Sequence, residues 1–268
     1  MNSVSTSTVS HALADSAAGL DALLAAVGRL SDADLAAPSP LEGWTRGHVL
    51  SHIAGLGGGM LGQAQAAERG EVVPVYASQE ARNAGIEAGS GRTVAEHLAV
   101  LGALRGQAQA AERGEVVPVY ASQEARNAGI EAGSGRTVAE HLAVLGALRD
   151  DLASAWPEPG SPHWAAPSGY RGGPLSGCLL AWWREVRIHS VDALAGTSQE
   201  VGYETWDDAL CAHLREFLAV RLPDGVTVDD LAGDPRDVTA WLAGRVPATP
   251  LPGELPELGP WPSAVPAR

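Results

Sequence analysis

The sequence predicts a mainly α-helical protein, with a helical bundle over residues 1–196 and a small α/β domain over 197–268. Three observations carry this. Long stretches place apolar residues at helical spacing, the chain is 45% hydrophobic with abundant alanine and leucine, and its character changes after Gly196. From there the chain reads as one helix near Trp206–Val220, an Asp224-Gly225 turn and a short strand at Val226-Thr227-Val228. A last helix follows Asp234-Pro235, and then a proline-rich tail.

The 268 residues carry a formal charge of −14, which argues against nucleic acid or an anionic membrane as partner. No apolar run approaches the roughly 20 residues of a membrane span, and Met1–Ser10 lacks a basic leader, so a cytoplasmic protein is expected. Every basic residue is arginine, which excludes Schiff-base and phosphate-loop lysines. Cys178 and Cys211 fit neither a zinc spacing nor a disulfide framework. Cys178, among Leu175, Leu179 and Leu180, reads as a core thiol, so a catalytic thiol has to come from a cofactor.

The first helix runs from Val9 to Leu30, with Leu13, Leu20, Leu23, Leu24, Val27 and Leu30 on its apolar side. After the break at Pro38-Ser39-Pro40, Thr45 is placed to cap a second helix bearing His48 and His52. Gly55, Gly57, Gly58 and Gly59 each cost that helix roughly 1 kcal/mol against alanine. They imply a close helix approach or a ligand against the backbone. Residues 62–105 are then repeated letter for letter as 106–149. Solenoid repeats drift and come in threes or more, so this tandem pair is not read as a repeat architecture. In the second copy a longer helix is expected from Thr137 to Trp156, ended by Pro157, Pro159 and Pro162.

The last bundle helix, about Leu175–Leu194, holds Glu185 and His189 four residues apart. Side chains at that spacing leave one face a turn apart and can reach a single metal ion at roughly 2.0–2.2 Å. The same spacing also describes an ordinary Glu–His pair on a solvated face. A third ligand has to come from another helix, where His48 and His52 are available. Two histidines and one carboxylate with an open fourth position suit catalytic zinc. Glu96-His97 and Glu140-His141 do not make a shared site, because adjacent helical residues point about 100° apart.

Three stretches carry a resemblance: Leu41-Glu42-Gly43-Trp44-Thr45-Arg46 with His52, Tyr76–Asn83, and Arg184–Asp192. They closely resemble the mycothiol-dependent maleylpyruvate isomerases of the DinB-like metalloprotein superfamily, and Trp241–Arg245 resembles the end of their C-terminal domain. The resemblance covers nearly the whole chain once one repeat copy is set aside. It implies a DinB-like four-helix bundle binding Zn2+ through His52, Glu185 and His189, with His48 outside the ligand set. It implies mycothiol as the low-molecular-weight thiol and maleylpyruvate, a small-molecule dianion, as substrate. A zinc-bound thiolate would add to the cis double bond, and rotation and elimination would give fumarylpyruvate. Arg245 is the catalytic arginine that the motif match implies, and Arg82 with Asn83, or Arg126 with Asn127, would line the substrate or thiol pocket. Asp192 could orient a ligand histidine.

Other functions share these features. A mycothiol S-transferase needs the same zinc-bound thiol, a metal-dependent hydrolase would use water instead, and a non-catalytic metal-binding bundle needs neither. The duplication adds an expectation of its own. The junction Arg105–Gly106 lets a helix continue over roughly Thr93–Arg113, while Thr137–Trp156 takes the single slot in the bundle. The surplus helix carries Leu98, Val100, Leu101 and Leu104, so a homodimer swapped or extended through the duplicated segment is expected over a loose insertion.

Overall fold

The computed structural model describes residues 4–72 and 123–262. The chain divides into two compact units, Met1–Gln199 and Glu200–Arg268.

In the first unit, α1 (Thr6–Val27), α2 (Asp32–Ala36) and α3 (Arg46–Glu68) lead to α4 (Gln123–Ser134), α5 (Val138–Ala155) and α6 (Leu175–Leu194). Helices α1 and α3 both pack against α5 and α6, and α4 lies along α3. The core follows the helical period: Leu20, Leu23, Leu24 and Val27 from α1, Val49, Leu50 and Ile53 from α3, Leu145, Leu148 and Leu152 from α5. Leu175, Leu179, Trp182, Trp183 and Val186 complete it from α6. Each such side chain contributes roughly 1.5–3 kcal/mol on burial. Caps set the helix starts. Thr45 and Thr137 each accept a hydrogen bond from the backbone N–H three residues on, at His48 and Glu140.

Two close approaches fix where α3 sits. A Cβ on Gly47 would collide with the Ser134 carbonyl oxygen, and one on Gly57 would lie 2.5 Å from Leu148 and 2.9 Å from Trp182. Around Gly58 there is open space. Gly58→Ala is therefore expected to stabilise the bundle by up to about 1 kcal/mol through helix propensity. Gly47→Ala is expected to destabilise it by roughly 1–3 kcal/mol, because the obstacle is backbone. Urea unfolding of both variants checks the pair, and equal shifts would contradict the close approach.

Arg46 sets the register of α3 on α6. Its buried guanidinium donates to the Ala195 carbonyl from Nε at 3.1 Å and Nη2 at 2.6 Å, and to the Asp34 carbonyl from Nη1 at 3.2 Å. The start of α3 is thereby tied to the end of α6. His52 lies six residues inward from one side of that tie, and His189 six residues inward from the other.

His141 on α5 is fully buried, and neither ring nitrogen has a hydrogen-bond partner among the described residues. Burial, then the Arg136 charge, pushes its pKa down from 6.5 to about 4. The unfolded chain therefore takes up this proton first, and stability falls as pH drops from 6.5 towards 4. His141→Leu is expected to remove on the order of 3 kcal/mol from that acid-side loss. Urea midpoints of wild type and variant at several pH values check this. Parallel pH profiles would reject it.

The second unit holds α7 (Asp208–Leu218) packed on α8 (Pro235–Leu242), with Leu210, Leu214, Leu218, Val238 and Leu242 buried. The expected α/β character is overturned, because the described residues contain no strand. Val228–Asp230 is instead a 3-10 turn. The Asp230 carboxylate accepts from both the backbone N–H and the hydroxyl of Thr227 at 2.8 Å, so the would-be strand hydrogen bonds locally. Among the described residues a lone three-residue stretch also has no second strand to pair with.

The surplus helix at Thr93–Arg113, with Leu98, Val100, Leu101 and Leu104, lies outside the described residues, as do Arg82, Asn83 and His97. Among the described residues no helix is long and apolar enough to cross a membrane.

Candidate metal centre

The antiparallel register of α3 and α6 brings His52, Glu185 and His189 together. One potential ligand atom from each lies within 4.8 Å of the others. His52 Nε2 is 3.0 Å and His189 Nε2 3.2 Å from the same oxygen, Glu185 Oε2. The imidazoles meet edge to face, centroids 4.7 Å apart, and the Trp44 ring meets His52 in a second edge contact, centroids 5.6 Å apart. His52 is the most enclosed, with 5% of its side chain exposed against 24% for Glu185.

Each charge state has a physical cause. Burial lowers the His52 pKa to about 4, reinforced by the charges of His189 and Arg126, so the ring is neutral at physiological pH. Burial pushes the Glu185 carboxyl up, but hydrogen bonds from His189 and His52 outweigh it and leave the group well below 4.5. Burial pushes His189 down, but hydrogen bonds to Asp192 and Glu185 outweigh that and raise it. The Asp192 carboxylate, 1% exposed, accepts from His189 Nδ1 at 2.8 Å and turns Nε2 towards the cluster.

His48 does not join the cluster. Its Nδ1 accepts from the Thr45 backbone N–H at 3.1 Å, which leaves Nε2 to donate to Glu131 Oε2 at 3.0 Å. Arg126, near the start of α4, does reach the cluster. Its Nη2 donates to His52 Nδ1 at 3.0 Å, while Nη1 donates to the exposed Asn127 Oδ1 at 3.3 Å. Arg245 lies just after α8 in the second unit, where its Nη1 donates to the Ala243 carbonyl at 2.6 Å. Neither thiol is activated. Burial pushes Cys178 up to about 11 and raises Cys211 as well.

A neutral imidazole, an ionised carboxylate and an imidazole oriented by aspartate are a chemically consistent donor set for a divalent ion. Fold and site thus define a helical bundle with a centre fit to hold a metal. The family model described as the mycothiol maleylpyruvate isomerase N-terminal domain matches the chain twice, over residues 16–111 and 92–194. Each match takes in one copy of the repeat. The chain belongs to the mycothiol maleylpyruvate isomerase N-terminal domain family. Its fold is similar to the crystal structure of the mycothiol-dependent maleylpyruvate isomerase, with a TM-score of 0.68 at 19% identity, covering 96% of this chain and 100% of that one. A histidine-to-alanine mutant of the mycothiol-dependent maleylpyruvate isomerase is similar at 0.65, with the same identity and coverage. No curated protein sequence matches significantly.

Proposed function

We infer that the protein is a zinc-dependent, mycothiol-dependent isomerase converting maleylpyruvate to fumarylpyruvate. The observation that carries this is the His52–Glu185–His189 cluster within a chain of this family. Zinc and mycothiol, when bound, would supply a thiolate able to add reversibly across the cis double bond. The residues of the chain provide the rest. His52 and His189 offer imidazole nitrogens, Glu185 offers its carboxylate, and Asp192 keeps the His189 ring aimed inward. The substrate is a dianion and the chain is acidic, so guanidinium groups have to hold it. Arg126 with Asn127 is the candidate pair next to the cluster, Arg82 with Asn83 is the identical pair of the other copy, and Arg245 is the candidate from the C-terminal unit. The buried state of both cysteines supports an external thiol.

The test follows maleylpyruvate in the ultraviolet with and without mycothiol. Turnover is expected only with the thiol, and unchanged in Cys178→Ser and Cys211→Ser. Thiol-independent turnover that disappears in either variant would overturn the reading, and conjugate accumulating without fumarylpyruvate would mark a transferase.

A further inference from the structure

Ser51 on α3 and His141 on α5 carry three buried polar atoms with no hydrogen-bond partner among the described residues: Ser51 Oγ and both His141 ring nitrogens. Ser51 is 4% exposed and His141 fully buried. Such orphans are rare in folded proteins, because each gives up its hydration without a return, and they commonly mark a bound water or ion.

The orphans belong to one place. Arg46 Nη1 reaches the Asp34 carbonyl at 3.2 Å and the Val138 N–H reaches Asp32 Oδ1 at 2.7 Å, so α3 and α5 both start against α2. They then run in the same direction, since Gly57 lies against Leu148. Seven residues before these two stand Leu50 and His141, which puts the imidazole level with the turn that holds Ser51. The end of α4 closes the space. Gly133 has no side chain, and Arg136 Nη1 comes to 2.6 Å from the point where its Cβ would sit, with Ser51 Oγ against the same point.

The charge of this place is positive. Arg136 is half-buried, and its guanidinium has lost part of its hydration. Glu140 acts on it through charge, but Glu140 Oε2 is taken by the Thr137 N–H at 2.8 Å and the Thr137 hydroxyl at 2.9 Å. A guanidinium only donates, a serine hydroxyl can donate, and a neutral imidazole donates from one nitrogen. A water would satisfy the orphan atoms but leave the half-buried cation uncompensated, whereas an anion answers both. The full enclosure of His141 limits the occupant to a single-atom ion.

We propose that Ser51, Arg136 and His141 form a binding site for one halide-sized anion, with chloride the common occupant. Bound there, the anion fastens the α4–α5 turn to α3. The site shares no residue with the His52–Glu185–His189 cluster and stands whether or not that cluster binds metal.

The test crystallises the full chain from bromide near neutral pH, where His141, with its pKa pushed down to about 4, is neutral. An anomalous difference peak is expected within hydrogen-bonding distance of Ser51 Oγ and the Arg136 guanidinium. Density there without anomalous signal would mean water and overturn the proposal. A second measurement needs no crystal. Urea midpoints are followed while chloride replaces gluconate at constant ionic strength. The wild-type midpoint is expected to rise with the logarithm of chloride concentration once the site fills, because a ligand of the folded state alone stabilises it. Ser51→Ala is expected to lose most of that rise, as is Arg136→Gln combined with Arg92→Gln at the identical position of the other copy. A midpoint indifferent to chloride, or an equal rise in the variants, would mark a bromide peak as an adventitious ion only and overturn the proposal. If the arginine variant does not fold, Ser51→Ala and the wild-type map decide between the same outcomes.

Discussion

His189→Ala is expected to lower zinc affinity at least a hundredfold, beyond the roughly 10–100-fold that loss of a supporting partner brings. The substitution removes one of three converging donors and leaves Glu185 Oε2 with His52 alone. It also leaves the buried Asp192 carboxylate without its imidazole partner. Asp192→Asn should act in the same direction but more weakly, within that 10–100-fold range, because the ring loses a charged acceptor and not its ligating nitrogen. Elemental analysis after dialysis, followed by chelator competition, ranks wild type, Asp192→Asn and His189→Ala in that order. Wild-type zinc content in His189→Ala would remove the cluster from consideration as a metal centre.

Trp183→Ala is expected to cost the bundle roughly 3–5 kcal/mol, the largest single-residue loss of stability foreseen here. Trp183 is 1% exposed on α6, and His11 meets its ring edge to face at 5.5 Å. Its indole Nε1–H donates to Asp15 Oδ2 at 2.7 Å, and the same oxygen forms an ion pair with Arg187, 3.1 Å from its Nε. Truncation leaves a cavity and removes one donor from Asp15. Trp183→Phe keeps most of the volume and should lose about 1 kcal/mol, chiefly the hydrogen bond. Urea midpoints at constant slope measure both, and an alanine variant within 1 kcal/mol of wild type would contradict the packing described.

The helices of the first unit were legible because period and punctuation agree. Apolar residues recur at three and four along Val9–Leu30, and Thr45 and Thr137 stand where a cap is needed. The Glu185–His189 pair was legible for the same reason, since spacing on one helix fixes one face. What joins helices was not. Nothing local announces that Arg46 reaches the Ala195 carbonyl, or that Asp15 receives both Trp183 and Arg187, because these contacts span over a hundred residues. Nothing local announces that His48 reaches Glu131, 83 residues on. Its contact with Thr45 does have a local signal, since a histidine three residues after a threonine cap stands where a capping-box acceptor belongs. The strand at Val226-Thr227-Val228 failed because β-branched residues give a preference, while a strand needs a partner that the described residues of the unit do not provide.

The bundle draws on both copies of the repeat. The last turns of α3 come from the first copy, and α4 with most of α5 from the second. Between them these pieces add up to less than a single copy, and the three cluster residues lie outside both. In genetic terms, deleting either copy would remove whole codons and keep the reading frame. The shortened product is the same chain whichever copy is lost, and it encodes every residue type found in the described bundle. Selection on the metal centre alone would not distinguish the long allele from the short one.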